Sequence, residues 1–129
     1  MPDQNSCTRF GPIAIVDDDP ATLDSLRFLL ELQGFQILAY SSGRDFFAAL
    51  PDNPPSCIVV DQNMPVMTGL DIASRLRSSG SMVPIIMVTA FVTEALKWQA
   101  RALGIEEVIG KPCSEDEIAN AISNCLMKN

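Results

Sequence analysis

Four short apolar runs in this sequence each end at a polar residue that can contact a phosphoryl group. Runs of this length, bounded by turn signals, are typical of strands buried on both faces of a parallel sheet. The carboxyl ends of such strands open onto one common edge, so the polar residues that follow them are expected to meet there. The runs span residues 13–16, 57–60, 85–88 and 108–110, and they are followed by Asp17 and Asp18, Asp61, Thr89 and Lys111.

Helical patterns alternate with these runs along the chain. A further strand is predicted at residues 36–40, and an amphipathic segment with cap signals follows each strand. Ser114 and Glu117 predict a capping box, and Asp19 before Pro20 predicts the start of the first helix. Five β/α units predict an α/β fold, a five-stranded parallel sheet in the flavodoxin-like order 2-1-3-4-5 with helices on both faces. We expect a polar N-terminal leader at residues 1–12, one domain at residues 13–127 and no second domain in this chain.

The composition excludes several classes of protein. The chain of 129 residues has a net charge of −7 and only nine lysines and arginines, which opposes direct contact with nucleic acid because that binding depends on cations along the phosphate backbone. No apolar run approaches the roughly 20 residues of a membrane helix, and the first residues lack the pattern of a signal peptide. We therefore expect a cytoplasmic protein that contacts neither nucleic acid nor membrane.

The four cysteines do not form a metal-site pattern. There is no CxxC pair and no histidine, so both zinc-site spacing and a Cys/His catalytic pair are missing. Cys57 and Cys125 lie within apolar patterns, and we predict that they are small core residues, as free cysteines commonly are. No role is assigned to Cys7 or Cys113.

Three acidic residues, Asp17, Asp18 and Asp61, are expected to crowd at the edge of the sheet. Carboxylates held close together repel one another, so either some of them are protonated or a hard cation binds them. We expect Mg²⁺ (or Mn²⁺), with Asp18 and Asp61 as direct ligands and Asp17 acting through a water molecule. The backbone carbonyl of Asn63 is expected to complete the shell.

The other residues of this edge favour phosphoryl transfer. Carboxylates act as covalent nucleophiles toward phosphorus, and Asp61 is the best placed of the acids. Thr89 is expected to donate a hydrogen bond to a phosphoryl oxygen, Lys111 to donate a charge-assisted one, and the small Ala90 to leave room beside them. Taken singly, each residue also fits an ordinary structural role in a turn, a strand end or a solvated surface. Their shared position at strand ends favours the functional interpretation.

These residues lie in four motifs, AIVDDDP at 14–20, VVDQNMPVMTGLD at 59–71, MVTA at 87–90 and GKP at 110–112. With these motifs the chain resembles the receiver domain of two-component response regulators from residue 13 to about residue 127. That resemblance implies that a partner sensor histidine kinase transfers a phosphoryl group from its phosphohistidine to Asp61, and that Mg²⁺ is required. It also implies that Asp17 and Asp18 organise the metal, that Thr89 senses the phosphoryl group and that Lys111 pairs with it. Receivers catalyse their own phosphorylation and dephosphorylation and are not conventional enzymes.

The resemblance further implies a switch surface and its partners. Family behaviour places the readout on the fourth helix, fifth strand and fifth helix, here residues 93–103 and 107–127. The expected partners are a downstream output domain or effector protein and, after phosphorylation, a second copy of the chain. The segment MPVMTGLD is similar to receivers attached to LuxR-type DNA-binding domains. A cis Lys111-Pro112 bond is expected on the resemblance alone.

Two residues of this surface stand out. Receivers commonly have Tyr or Phe where this chain has Val108, which carries no aromatic ring whose rotamer could report phosphorylation. Trp98 is the sole tryptophan and lies in the predicted fourth helix. A partly buried packing role for Trp98 is favoured over a role as a partner anchor, although tryptophan is enriched at interfaces.

Two other functions stay open from the sequence. A constitutive interaction module would keep the fold without phosphorylation control; Val108 supports it, and the intact set of acids, threonine and lysine argues against it. An aspartyl phosphatase normally has an acid two residues after its nucleophile, where this chain has Asn63. Nucleotide binding lacks a motif.

Overall fold

The computed structural model of the protein describes residues 11–127, in which five strands alternate with five helices. Residues 1–10 of the predicted leader, and Cys7 with them, lie outside the described residues. The strands are β1 (Ile13–Val16), β2 (Ile37–Tyr40), β3 (Cys57–Asp61), β4 (Ile85–Thr89) and β5 (Glu107–Gly110). The helices are α1 (Pro20–Leu32), α2 (Gly43–Ala49), α3 (Gly69–Ser78), α4 (Glu94–Ala102) and α5 (Glu115–Met127).

The strands form one parallel sheet in the order β2-β1-β3-β4-β5. This confirms the predicted α/β fold and strand order. The chain first adds β2 on one side of β1 and then adds β3 on the other, so the strand order reverses between β1 and β3. Val16 pairs with Val60 in the register of these two strands, which brings the residues at their carboxyl ends side by side.

Side chains of each strand alternate between two apolar cores, one on each face of the sheet. Ile13 and Ile15 of β1 belong to the core that contains residues of α1 and α5, whereas Ala14 and Val16 belong to the core that contains residues of α2, α3 and α4. The alternation follows from the two-residue period of a strand. Burial on both faces explains why the strands are continuous apolar runs in the sequence, and it confirms the predicted helices on both faces.

Two strands extend one residue beyond the predicted apolar runs. β3 includes Asp61, which pairs with Val88, and β4 includes Thr89, which pairs with Gly110. The ladder continues even past Asp61, because the amide of Gln62 donates to the carbonyl of Val88 at 2.9 Å. Main-chain hydrogen bonds do not depend on an apolar side chain, so the pairing outlasts the apolar run. The backbones of Asp61 and Thr89 are therefore held by the sheet itself.

The helix starts agree with the predicted caps, with one exception. Ser114 and Glu117 form the predicted capping box, with reciprocal hydrogen bonds of 3.1 and 3.2 Å. Asp19 occupies the N-cap position of α1 before Pro20, but its side chain makes no capping hydrogen bond with the helix amides. Its carboxylate accepts instead from the hydroxyl of Thr22 at 2.6 Å, which engages it within the first turn.

Cys57 and Cys125 are buried thiols, as predicted. A hydrogen bond with Cys125, together with burial, raises the pKa of the Cys57 thiol, so it stays protonated. Cys113 is half-buried, and burial followed by the charge of Glu117 raises the pKa of its thiol.

None of the helices within residues 11–127 combines the length and the apolar character needed to span a membrane. The two longest, α1 and α5, have 13 residues each, against the roughly 20 that a membrane span requires.

Candidate functional site

The carboxyl ends of β1 and β3 bring three acidic side chains together. Carboxylate oxygens of Asp17, Asp18 and Asp61 lie within 4.8 Å of one another. Asp17 directly follows β1, Asp61 is the last residue of β3, and the two strands are neighbours in register. The predicted crowding of these acids at one edge of the sheet is therefore confirmed.

Burial makes this crowding electrostatically unfavourable. Asp17 and Asp61 are each only 5% exposed, whereas Asp18 is exposed to solvent. Burial raises the pKa of Asp17 above its ordinary value, and the charges of Asp61 and Asp18 also raise it. A hydrogen bond from the Asp19 amide, at 2.9 Å, and the charge of Lys111 oppose that increase without cancelling it. The three carboxylates therefore carry more negative charge than the groups around them neutralise.

Lys111 supplies positive charge to the cluster. Its Nζ lies 3.4 Å from Asp61 Oδ2 and 3.9 Å from Asp17 Oδ2. The lysine follows β5, and its amide donates to the carbonyl of Thr89 at 2.8 Å, which ties its backbone to β4. The next peptide bond, Lys111-Pro112, is cis, as predicted. This ammonium group pairs with Asp17 and Asp61, so the three carboxylates together keep an excess of negative charge over it.

The acidic side chains fit a hard divalent cation. Mg²⁺ takes six oxygen ligands at about 2.0–2.1 Å, so that opposite ligands lie about 4 Å apart. The three carboxylate oxygens, within 4.8 Å of one another, approach that span, and the exposure of Asp18 leaves access for water ligands. Asn63, whose carbonyl is the predicted backbone ligand, is close by, because its amide donates to Asp61 Oδ1 at 3.2 Å.

The side chain of Asn63 makes contacts that the sequence did not predict. Its Oδ1 accepts from Thr89 Oγ1 at 2.9 Å and from the Ala90 amide at 3.2 Å. Thr89 Oγ1 in turn accepts from the Phe91 amide at 3.2 Å. The available signal was positional: Asn63 lies just past the end of β3, and β4, the neighbouring strand, ends at Thr89.

Gln62 holds the turn that carries Asn63. Its side-chain Oε1 accepts from the Leu70 amide at 2.8 Å, in the first turn of α3. Gly69 approaches this turn closely, since a Cβ there would lie 3.1 Å from the Gln62 Cα and 3.2 Å from the Asp61 carbonyl oxygen. Position 69 therefore favours glycine, and the start of α3 packs directly against the residues beside the acids.

Val108 and Trp98 belong to the predicted switch surface. Val108 is half-buried and packs against the core that contains residues of α2, α3 and α4. Trp98 is 66% exposed, with the guanidinium carbon of Arg101 5.4 Å from the centroid of its ring. The favoured prediction of a partly buried packing role for Trp98 is therefore wrong. The buried residues of α4 are Leu96 and Ala100, and position 98 lies on the opposite side of the helix.

An open groove of about 730 Å³ lies beside the acids. Ser25 and Leu26 of α1 line it, as do Pro112 and Cys113 between β5 and α5, and it reaches Asp61. The groove offers a route from solvent to the Asp61 carboxylate, which is itself almost fully buried.

Comparisons with known proteins identify the family of the chain. The family model described as "Response regulator receiver domain" matches residues 13–123. The transcriptional regulatory protein FixJ of Bradyrhizobium diazoefficiens is 32% identical over 119 residues, which are 92% of this chain and 58% of that protein. The chain therefore spans little more than half the length of this curated relative.

Solved structures show the same fold. The crystal structure named FixJ-N has a TM-score of 0.83 and 28% identity, covering 92% of this chain and 95% of that chain. A DNA-binding response regulator of the LuxR family from Staphylococcus aureus has a TM-score of 0.82 and 24% identity, covering 90% of this chain and 98% of that chain. The family match and the identity to FixJ show that this chain belongs to the receiver domains of two-component response regulators, which are regulators and not conventional enzymes.

Proposed function

We propose that Asp61 accepts a phosphoryl group from the phosphohistidine of a sensor histidine kinase, with Mg²⁺ bound beside it. One observation carries the proposal: a buried Asp61 carboxylate lies within 4.8 Å of carboxylate oxygens of Asp17 and Asp18 and 3.4 Å from Lys111 Nζ. Phosphoryl transfer depends mainly on positioning and on cations around the phosphoryl oxygens. Asp61 has a metal-binding cluster and an ammonium group as neighbours, which meets both needs.

In the transfer, a carboxylate oxygen of Asp61 attacks phosphorus and a new P–O bond forms. The P–N bond to the donor histidine breaks, and its electron pair returns to the imidazole nitrogen. The Asn63 amide, which donates to Asp61 Oδ1 at 3.2 Å, orients the carboxylate. Lys111 then exchanges its contact with Asp61 Oδ2 for a charge-assisted hydrogen bond to a phosphoryl oxygen.

The proposed Mg²⁺ ligands are carboxylates of Asp17, Asp18 and Asp61, with Asp17 acting through water, and the backbone carbonyl of Asn63. When bound, the ion neutralises charge that develops on the phosphoryl oxygens. Together with Lys111 it balances the three carboxylates, so an anionic donor can approach. Mn²⁺ suits the same oxygen ligands.

Phosphorylation adds about −1.5 to −2 charge and three acceptor oxygens at Asp61. Thr89 turns its hydroxyl toward these oxygens, and the small Ala90 leaves room for the rearrangement. The readout is the surface of α4, β5 and α5, which includes Val108 and the exposed Trp98. Changes in packing at the end of β4 reach this surface because β5 is the next strand of the sheet.

The partners follow from this switch. The FixJ relative is longer than the matched region, which supports an output domain in the same protein. This output domain, of the LuxR DNA-binding type, or a separate effector protein receives the signal. A second copy of the phosphorylated receiver is a further partner. Residues 13–127 act as the receiver domain, without direct contact to nucleic acid or membrane, in the cytoplasm with the donor kinase.

The test is phosphorylation by a small-molecule donor. The protein is incubated with acetyl phosphate and Mg²⁺, and its intact mass should increase by the mass of one phosphoryl group. Asp61→Asn should abolish the adduct, whereas Asp52→Asn, at an exposed acid outside the cluster, should retain it. An adduct on Asp61→Asn, or none on the unmodified protein, would sink the proposal.

The two rival functions give different results in the same experiment. A constitutive interaction module, which Val108 favours, predicts no adduct on the unmodified protein. A hydrolase predicts continuous release of inorganic phosphate without a trapped adduct. The hydrolase has little support, because Asn63 stands where the general acid would be and its Oδ1 is engaged by Thr89 and Ala90.

A further inference from the structure

The hydroxyl group of Thr89 is already fully engaged. Its oxygen lies 2.9 Å from Asn63 Oδ1, which can only accept, so the hydroxyl donates its single proton there. The same oxygen accepts from the Phe91 amide at 3.2 Å. Thr89 is fully buried, so water does not replace these partners. In this arrangement the hydroxyl has no proton left to donate to a phosphoryl oxygen.

The Asn63 oxygen also occupies a second donor at the end of β4. The Ala90 amide donates to it at 3.2 Å. One carboxamide oxygen thus collects a side-chain donor and a main-chain donor from consecutive residues, as an oxygen of a bound anion would. The backbone of Asn63 is fixed by two contacts. Its main-chain amide donates to Asp61 Oδ1, and the side chain of Gln62 links the turn to α3.

We propose that the Asn63 carboxamide competes with the phosphoryl group for Thr89. In the resting protein Asn63 Oδ1 holds the Thr89 hydroxyl, and the switch proceeds only when a phosphoryl oxygen takes over that hydrogen bond. Asn63 is a positioning residue in this scheme, since it acts through Thr89. The proposal rests on the proposed phosphorylation of Asp61.

The exchange is favourable in the phosphorylated state and unfavourable before it. A hydrogen bond to an ionised oxygen is roughly twice as strong as one between neutral groups, so a phosphoryl oxygen outcompetes the carboxamide. Asn63 is itself exposed, so its released side chain can hydrogen-bond with water and no buried group is left unsatisfied. The Asn63–Thr89 hydrogen bond therefore opposes switching before phosphorylation and still permits switching after it.

The experiment measures the affinity for beryllofluoride, an anion that mimics the phosphoryl group, in the presence of Mg²⁺. Binding is followed by NMR at the Ala90 amide, whose proton resonance reports its own hydrogen bond. Asn63→Ala removes the competing oxygen, so the anion no longer has to displace a neutral hydrogen bond. Beryllofluoride binding should therefore tighten by about threefold to tenfold. Without anion and metal, the Ala90 amide proton should move upfield in the variant. Unchanged affinity would overturn the proposal.

A double-mutant cycle separates this role from a merely structural one. The gain from Asn63→Ala should shrink in a Thr89→Val background, which lacks the hydroxyl, and should persist in a Thr89→Ser background, which keeps it. A gain of equal size in the valine background would contradict competition for Thr89.

Two further measurements isolate the metal and the chemistry. The gain in beryllofluoride affinity should persist at saturating Mg²⁺, because it arises from release of the Thr89 hydroxyl and not from the metal. A gain that disappears at saturating Mg²⁺ would assign the effect to the metal and overturn the proposal. Phosphorylation of the unmodified protein by acetyl phosphate tests the proposed function itself. Absence of phosphorylation sinks the proposed function, whereas phosphorylation without a beryllofluoride gain sinks only the competition.

Discussion

The edge formed by the carboxyl ends of the strands has two halves, and they differ in whether their side chains are neutralised. The acidic half is at the ends of β1 and β3, where Asp17, Asp18 and Asp61 crowd together with an excess of negative charge. The hydrogen-bonded half is at the end of β4, where the Thr89 hydroxyl donates one neutral hydrogen bond to Asn63 in the turn after β3. Among residues 11–127, no buried side-chain nitrogen or oxygen lacks a hydrogen-bond partner, so the defect of the first half is one of charge alone.

This contrast separates two events in the proposed switch. The acidic half becomes stable only when a cation binds, so it controls loading. The hydrogen-bonded half is stable until an anion displaces one of its partners, so it controls the response. Substitutions that neutralise or remove a side chain should therefore have opposite effects on stability in the two halves.

The largest expected effect is loss of metal from the acidic half. Asp18→Ala removes a proposed direct ligand and should lower Mg²⁺ affinity about a hundredfold, measured by isothermal titration calorimetry. Asp24→Ala, at an exposed acid on α1 outside the cluster, should bind Mg²⁺ as the unmodified protein does. Equal affinities for the two variants would remove the acidic half from the account.

Next in size is the stability of the hydrogen-bonded half. Thr89→Val removes the acceptor of the Phe91 amide and the donor to Asn63, and should lower the free energy of unfolding by about 1–2 kcal/mol. Urea denaturation measures this, and Thr89→Ser should recover most of the loss. If Thr89→Val is as stable as the unmodified protein, these hydrogen bonds do not hold the resting state.

Neutralising the acidic half should have the opposite sign. Asp17→Asn keeps an oxygen for the Asp19 amide and relieves repulsion, so it should raise the free energy of unfolding of the metal-free protein by about 1 kcal/mol. Asp52→Asn, at an exposed acid outside the cluster, should stay within about 0.5 kcal/mol of the unmodified protein. A destabilised Asp17→Asn would show that the charge of Asp17 is not a burden in the metal-free state.

The pH dependence of that stabilisation has a definite sign. The pKa of Asp17 is raised by folding from its ordinary 3.8, so between 3.8 and the folded pKa the native state binds more protons than the unfolded state. The contribution of Asp17 to stability therefore falls as pH rises through this interval. The advantage of Asp17→Asn should be larger at pH 7 than at pH 4, measured by urea denaturation in a chelator. An advantage that grows toward low pH would contradict the raised pKa.

The smallest expected effect is at Trp98, outside both halves. Its ring is 66% exposed, so Trp98→Ala should change the free energy of unfolding by less than about 0.5 kcal/mol. In the unmodified protein, acrylamide should quench its fluorescence efficiently. A loss of 2 kcal/mol or more by this substitution would restore the buried packing role.

The acidic half was predictable from the sequence because the rule that places it is local. Apolar runs mark the buried strands, and the residues that end them must lie at one edge of a parallel sheet. Asp17, Asp61, Thr89 and Lys111 are all placed by that rule. The capping box at Ser114 is equally local, since it depends on a spacing within one helix start.

The hydrogen-bonded half was less predictable because it depends on contacts between distant segments. Asn63 and Thr89 are separated by 26 residues, and no periodic pattern specifies which way an exposed asparagine in a turn points. The exposure of Trp98 similarly depends on which side of α4 faces the sheet, which tertiary packing decides. The Thr22 hydroxyl donates to the Asp19 carboxylate in place of a helix amide, and N-cap preferences do not account for such a side-chain donor.

The identity of the residue that carries the phosphoryl group decides whether Asp61 is the phosphoacceptor. The protein is treated with acetyl phosphate and then reduced with borohydride, which converts an aspartyl phosphate to homoserine, and its peptides are sequenced by mass spectrometry. Homoserine is expected at position 61 when Mg²⁺ is present, and none is expected when a chelator removes the metal. Unreduced Asp61, or homoserine at another aspartate, would contradict this role of Asp61.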